Sequence, residues 1–301
     1  MKIIQRYQVP FADITTSVTA TGTTGAAWLV GTTYAAGAEV IRENRIFVSA
    51  IDGNVGIDPL TVNQNLVSAP WIFKAFTIPF RCFDGAISSR TVDDGPVTIT
   101  LDNVQGQNSI MLFGVFGDTL TITGEDAALT PATVYTKTIT LSAREVNDWF
   151  DWFFLEFGES KSRLAFTDVP SNVVKLTFAF TGAHVEIGEL VVGRAREIGR
   201  TLHQGTTNRV ISLTRVDFNA YGEPTVIPAP TRVETNYAVH ITKERMQAAY
   251  DLLAGLSGEV VGAIGSPDRQ TTIQLGFLSI EEIPEDLPND YIATLTLRGV
   301  I

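Results

Sequence analysis

Val97-Thr98-Ile99-Thr100-Leu101 alternates apolar and polar residues without a break, and Leu120-Thr121-Ile122-Thr123 and Thr138-Ile139-Thr140-Leu141 repeat the pattern. A period of two puts the apolar side chains on one face of an extended chain and the threonines on the other, which is how a half-buried strand reads. Asp93-Asp94-Gly95-Pro96 and Thr123-Gly124-Glu125-Asp126 supply turn residues between runs. Val173 to Phe180 and Val185 to Val192 continue the series on either side of Thr181-Gly182-Ala183. Strands at this spacing, joined by short turns, predict a β-sandwich over residues 72–200. One interruption is expected inside it. Ser142-Ala143-Arg144-Glu145 has the form of a capping box, and Val146, Trp149, Phe150 and Phe153 then fall on one helical stripe. Phe150 to Phe157 reads equally well as a buried strand.

The flanks read differently. Residues 1–25 read as an arm, Thr-rich from Thr15 to Thr24, with strand-like alternation from Ile3 to Val9. Residues 26–71 form a compact unit of short apolar runs punctuated by Gly31, Gly37, Asp52-Gly53-Asn54 and Asp58-Pro59. Within it, Ile41 to Ala50 predicts a hairpin turning at Glu43-Asn44. In residues 201–301, Arg209 to Asp217 and Thr231 to Ile241 read as strands flanking a Gly/Pro-rich connector, Tyr221 to Pro230. A helix is expected near 242–257, capped by Thr242, stapled by Ile241 and Met246, and stopped by Gly258. Its apolar stripe is Met246, Ala249, Tyr250, Leu253 and Leu256. Val260 to Ile264, Thr272 to Ile280 and Tyr291 to Gly299 return to strands. The expected fold is mainly β: a small β module, a central β-sandwich, and a C-terminal α+β or β-sandwich domain with one flanking helix.

Composition narrows the function. Hydrophobic residues make up 45% of the 301 residues and charged ones 18%, which suits folded β structure better than disorder or long exposed helices. The net charge is −11, with no Lys/Arg cluster to displace counterions from phosphates, so nucleic acid is not an expected partner. Cys82 is the one cysteine and lies between aromatics, as a buried small hydrophobe would. No apolar run approaches the roughly 20 residues a membrane span needs, and no signal peptide is evident, so a soluble chain made in a cytoplasm is expected.

The sequence carries no catalytic constellation. His184, His203 and His240 have no metal-ligand spacing, and neither a nucleophile elbow nor a phosphate loop appears. Asp52-Gly53-Asn54-Val55-Gly56 begins like a calcium loop but lacks its later glycine and glutamate, and reads as a turn. Asp148, Asp151 and Glu156, set among aromatics, are the nearest approach to a glycosidase carboxylate pair, without a motif to mark them. The chain is not expected to be an enzyme, and no catalytic, cofactor-binding or metal-binding residue is assigned.

Trp28-Leu-Val-Gly-Thr-Thr-Tyr34-Ala-Ala-Gly37-Ala-Glu-Val40, followed by Asn44 to Ala50, Gly56-Ile57-Asp58-Pro59 and Trp71, resembles the small chitin- and cellulose-binding modules of bacterial chitinases, which recur in phage tail and fibre proteins. In that family a Gly-Trp-x-Pro step carries the sugar-stacking ring. Here Ile57 stands in the step and offers no aromatic face. Trp28, Tyr34, Phe47 and Trp71 are therefore candidates for the module's core, with glycan contact as the alternative. Ile110 to Gly114, Asp148-Trp149-Phe150, Ile187 to Gly193, Gly276-Phe277 and Leu295 to Gly299 are similar to minor tail proteins of phages with long non-contractile tails. The resemblance implies a structural subunit of the virion, at the tail tip or baseplate, without cofactor. It implies assembly with other tail proteins and a homo-oligomeric ring of three- or six-fold symmetry. The alternative is a receptor-binding or polysaccharide-degrading tail protein that contacts host surface glycans.

Overall fold

The computed structural model describes all residues except 65, 67, 130–131, 142–148, 150–152, 154–160, 219–220, 268, 283–289 and 301. The alternating runs form strands: Val97–Leu101, Thr119–Glu125 and Thr133–Thr140 lie in a five-stranded antiparallel sheet with Lys175–Thr181 and Ile14–Thr16. Leu120, Ile122, Ile99, Leu101, Phe178 and Phe180 on its inner face are buried, while the threonines pair outside, as Thr119 with Thr181 at 2.6 Å.

This face packs against one end of a nine-stranded sheet, whose Ile110, Leu112, Leu190 and Val192 enter the same core. The order across the large sheet is Arg163–Phe166, Ser109–Phe113, Glu189–Glu197, Lys2–Tyr7, Val260–Ile264, Ile273–Glu282, Asp290–Gly299, Thr231–Thr242 and Arg200–Ser212, and every neighbouring pair is antiparallel. The sheet curls into a half-barrel, bringing Arg163–Phe166 into contact with Ile273–Glu282. Met111 packs closely over Gly262, where an added Cβ would meet its sulfur at 2.3 Å.

The segment expected as an arm begins with an interior strand of this sheet, the fourth of the nine. Lys2–Tyr7 pairs with Glu189–Glu197 on one side and Val260–Ile264 on the other. Its consecutive residues Ile3 and Ile4, both buried, point to opposite faces and join different cores. Strands from residues 72–200 and from 201–301 thus belong to one hydrogen-bonded sheet.

The helix runs Lys243–Leu256 and buries Ala249, Leu253 and Leu256 against the C-terminal strands. Thr242 precedes it in extended geometry, but its side chain makes no capping hydrogen bond, and Tyr250 on the expected apolar stripe is 50% exposed. Gly258 follows at φ +84°, the left-handed conformation in which chains leave helices. The predicted run Val185 to Val192 is split at Gly188 into Val185–Ile187 and Glu189–Glu197, and a Cβ added at Gly188 would stand 2.7 Å from the Ile87 carbonyl oxygen. The connector Tyr221 to Pro230 contains a strand, Pro224–Ile227, which pairs with Arg215–Phe218 as a separate hairpin.

The small module is a four-stranded sheet, Ala26–Ala27, Glu39–Arg42, Arg45–Ser49 and Trp71–Phe76. Its hairpin turns at Glu43 and Asn44, with φ of 48° and 61°, the pair of positive values a tight primed turn requires.

Candidate functional site

The four module aromatics converge. Trp71 has no exposed surface and Phe47 is buried, with Trp28 and Tyr34 half-buried against them. The Tyr34 and Trp71 rings meet edge to face at 5.3 Å. Trp71 Nε1–H donates to the Ile57 carbonyl at 2.8 Å, and the Tyr34 hydroxyl accepts from the Leu29 N–H at 2.8 Å. The Arg42 guanidinium lies over Trp28 at 5.2 Å and pairs with Asp58 at 2.9 Å. Trp71 thus has no ring face open to a ligand. Asn54 is buried and donates to Ser49 Oγ and to the Pro70 carbonyl, and Gly53 before it turns at φ +69°.

A second aromatic row leads out of the module. Phe47 touches Phe73, Phe73 touches Phe76, Phe76 touches Phe11 and Phe11 touches Phe80, with centroids 5.4–5.9 Å apart. The row crosses a cleft of about 360 Å³ between the module, the Arg6–Phe11 segment and the large sheet. Arg45 and Phe76 also line an adjoining apolar groove of about 230 Å³ on the module. Arg45 starts a strand at the hairpin turn, and Arg6 lies near the end of the N-terminal strand Lys2–Tyr7.

Electrostatics in the cleft centre on Glu189, which has no exposure. Arg6 Nη2 approaches Glu189 Oε1 at 2.7 Å and donates to the Phe83 carbonyl at 2.6 Å, while the Gly85 N–H donates to Oε2 at 3.0 Å. The Arg6 contact with Oε1 is close but is not an aligned hydrogen bond, and no other donor reaches that oxygen. Burial pushes the Glu189 carboxyl up to about 8, against the opposing pull of Arg6. Asp84 beside it is also raised by burial, and its carboxylate accepts from the Ala86 N–H at 2.8 Å. Arg45 lies 5.5 Å over Phe76 and 6.0 Å over Phe11, and its Nε is out of contact with solvent and without a hydrogen-bond partner.

The histidines stay apart. His184 bridges Asp94 at 2.7 Å and Glu186 at 3.1 Å, and these hydrogen bonds, Asp94 first, raise its pKa. His240 faces Asp290 at 3.1 Å, and His203 is exposed on the edge strand. Cys82 is fully buried, with its thiol pushed up to about 12 by burial. Asp148, Asp151 and Glu156 lie outside the described residues; of their neighbours, Trp149 and Phe153 are helical, exposed and stacked at 6.4 Å. Among the described residues no group of three His, Cys, Asp or Glu is placed to hold a metal, and no helix is long and apolar enough to cross a membrane.

Sequence reading passed over Arg6, Arg45 and Glu189. A signal existed for one of them: Glu189 is a lone carboxylate inside the apolar run Ile187-Gly188-Glu189-Leu190-Val191-Val192, where an ionised group needs a partner. Arg45 carried none, because its aromatic neighbours come from distant segments.

The second exposed feature is an edge. Arg200–Ser212 is an outermost strand of 13 residues, and the hairpin Arg215–Phe218 and Pro224–Ile227 extends beyond it. Val210, Phe218 and Val226 are 68%, 71% and 58% exposed. No family model, curated protein or solved structure matches the chain.

Proposed function

We propose that the chain is a structural subunit of a bacteriophage tail tip or baseplate, assembling with copies of itself and with other tail proteins. In this reading the five-stranded sheet and the end of the large sheet facing it form the β-sandwich of such subunits, and the strands from 201–301 are the assembly region. The observation that carries it is the long edge strand with its apolar hairpin. A long edge offers a row of unpaired backbone groups, and soluble monomers ordinarily blunt or cover it. Phe218 and Val226 together with that edge suit a neighbour in a closed ring, where interfaces exceed about 1,000 Å². The family resemblance supplies the setting.

The test is to replace 213–230 by a short Asn-Gly turn, which the Leu213 N–H to Pro230 carbonyl bond at 3.3 Å makes sterically feasible, and to image particles by cryo-electron microscopy. Particles carrying the unaltered chain should show it as a closed ring on the tail axis, and the shortened chain should fold but fail to enter particles. Incorporation at normal copy number would refute the role of the hairpin. Density projecting from the side of the tail would favour the receptor-binding alternative.

A further inference from the structure

We infer that the cleft between the aromatic module and the large sheet binds a small ligand bearing one carboxylate on a flat apolar body, with Arg45 taking the carboxylate. This goes beyond the assembly role and depends on none of its contacts.

Around the cleft, Arg6 is answered by Glu189 and the Phe83 carbonyl, Arg42 by Asp58, and Arg81 Nε donates to the Phe76 carbonyl at 3.3 Å. Arg45 has no carboxylate within ion-pair distance among the described residues. Its guanidinium is held over the Phe11 and Phe76 rings, so its orientation is set by packing before any ligand arrives. A fixed, planar guanidinium beside apolar walls matches a carboxylate through paired N–H donors. Its Nε is closed to solvent and so to a ligand, which leaves the terminal N–H groups of Arg45 to meet the carboxylate at the cleft wall.

The rest of the cleft sets the class. Phe76, Phe83, Leu190 and Val192 supply apolar walls, and a volume of about 360 Å³ is of the size that holds small molecules. Asp84 lines the same space and Glu189 is buried behind Arg6. These two carboxyl groups oppose a second negative charge, which favours a monoanion over a dianion such as phosphate. An apolar body then rests against the phenylalanines as the anionic end reaches Arg45.

The probes are 3-phenylpropionate and its neutral amide, titrated into the full chain by isothermal calorimetry and by NMR. The carboxylate should bind about tenfold tighter than the amide or better, a difference expected of a charge-assisted pair, and should shift the Arg45 Nε–H and Phe76 resonances. Arg45→Gln should bring the carboxylate down to the level of the amide, and Arg45→Lys should restore part of the difference. Inorganic phosphate should not compete. Comparing the two probes on the unaltered chain keeps the test valid even if Arg45→Gln fails to fold. Equal affinity for acid and amide, undiminished acid binding in a folded Arg45→Gln, competition by phosphate, or no saturable binding in the millimolar range would each overturn the assignment.

Discussion

Glu189 holds its carboxyl where water does not reach, so the protonated form is the less costly one in the folded chain. In the unfolded chain the same group releases its proton near 4.5, and in the fold near 8. Between those values the folded state binds the extra proton. Stability from this group is therefore fully present below the unfolded value and is lost as pH rises through the folded one. Glu189→Gln keeps the shape and removes the titration. The difference in Tm between the unaltered chain and the variant should shift in the variant's favour from pH 5 to 8.5, and a difference independent of pH would show that Arg6 keeps the carboxylate ionised throughout. Cys82 gives a second expectation at this scale. Burial pushes its thiol up to about 12, with Thr91 pulling it down and the nearby Glu189 and Asp84 pushing it further up. The thiolate is the reactive form, so Ellman's reagent at pH 8 should label Cys82 only after denaturation. Fast labelling of the native chain would show that the Ile78–Phe83 turn opens readily.

The strand Lys2–Tyr7 is the element on which the large sheet depends. Ile4 has no exposure and packs with Met111, Phe113 and Leu275, so Ile4→Ala should cost about 2–5 kcal/mol, measured by urea unfolding. Gly193 faces the same strand, and a Cβ there would stand 2.2 Å from the Gln5 carbonyl. Gly193→Ala must push two paired strands apart. Gly255 is the contrast: it lies in the helix with nothing within 4 Å of an added Cβ, and Gly255→Ala should stabilise by about 0.5 kcal/mol or more. If both alanines act alike, the close approach at Gly193 is not what restrains that position.

Across the whole molecule, the shared sheet decides how the chain should unfold. The core around the helix contains Met1, Ile3 and Ile198 as well as residues from 201–301. A fragment of 201–301 lacks those side chains and the strand that covers Val260–Ile264. Calorimetry should find one cooperative transition for the nine-stranded sheet, and the 201–301 fragment alone should show none. A fragment melting cooperatively at the temperature of the full chain would mean that the sheet joins two independent units.

Strand identity was legible because a period of two in residues such as Val97 to Leu101 is a local property, set by which face each side chain must bury. The same holds for the helix, whose Ala249, Leu253 and Leu256 recur at helical spacing, and for the Glu43-Asn44 turn. Local pattern does not record which strands become neighbours. Ile3 and Ile4 read as strand residues, yet their place between Glu189–Glu197 and Val260–Ile264 follows from partners nearly two hundred positions away and beyond. The cleft is a product of that pairing: Arg6, Arg45 and Glu189 are scattered along the chain, and only the closing of the sheet around the N-terminal strand and the docking of the module bring them to one place. Burial and periodicity are written residue by residue, whereas strand order and charge matching are settled by contacts between segments that no local pattern links.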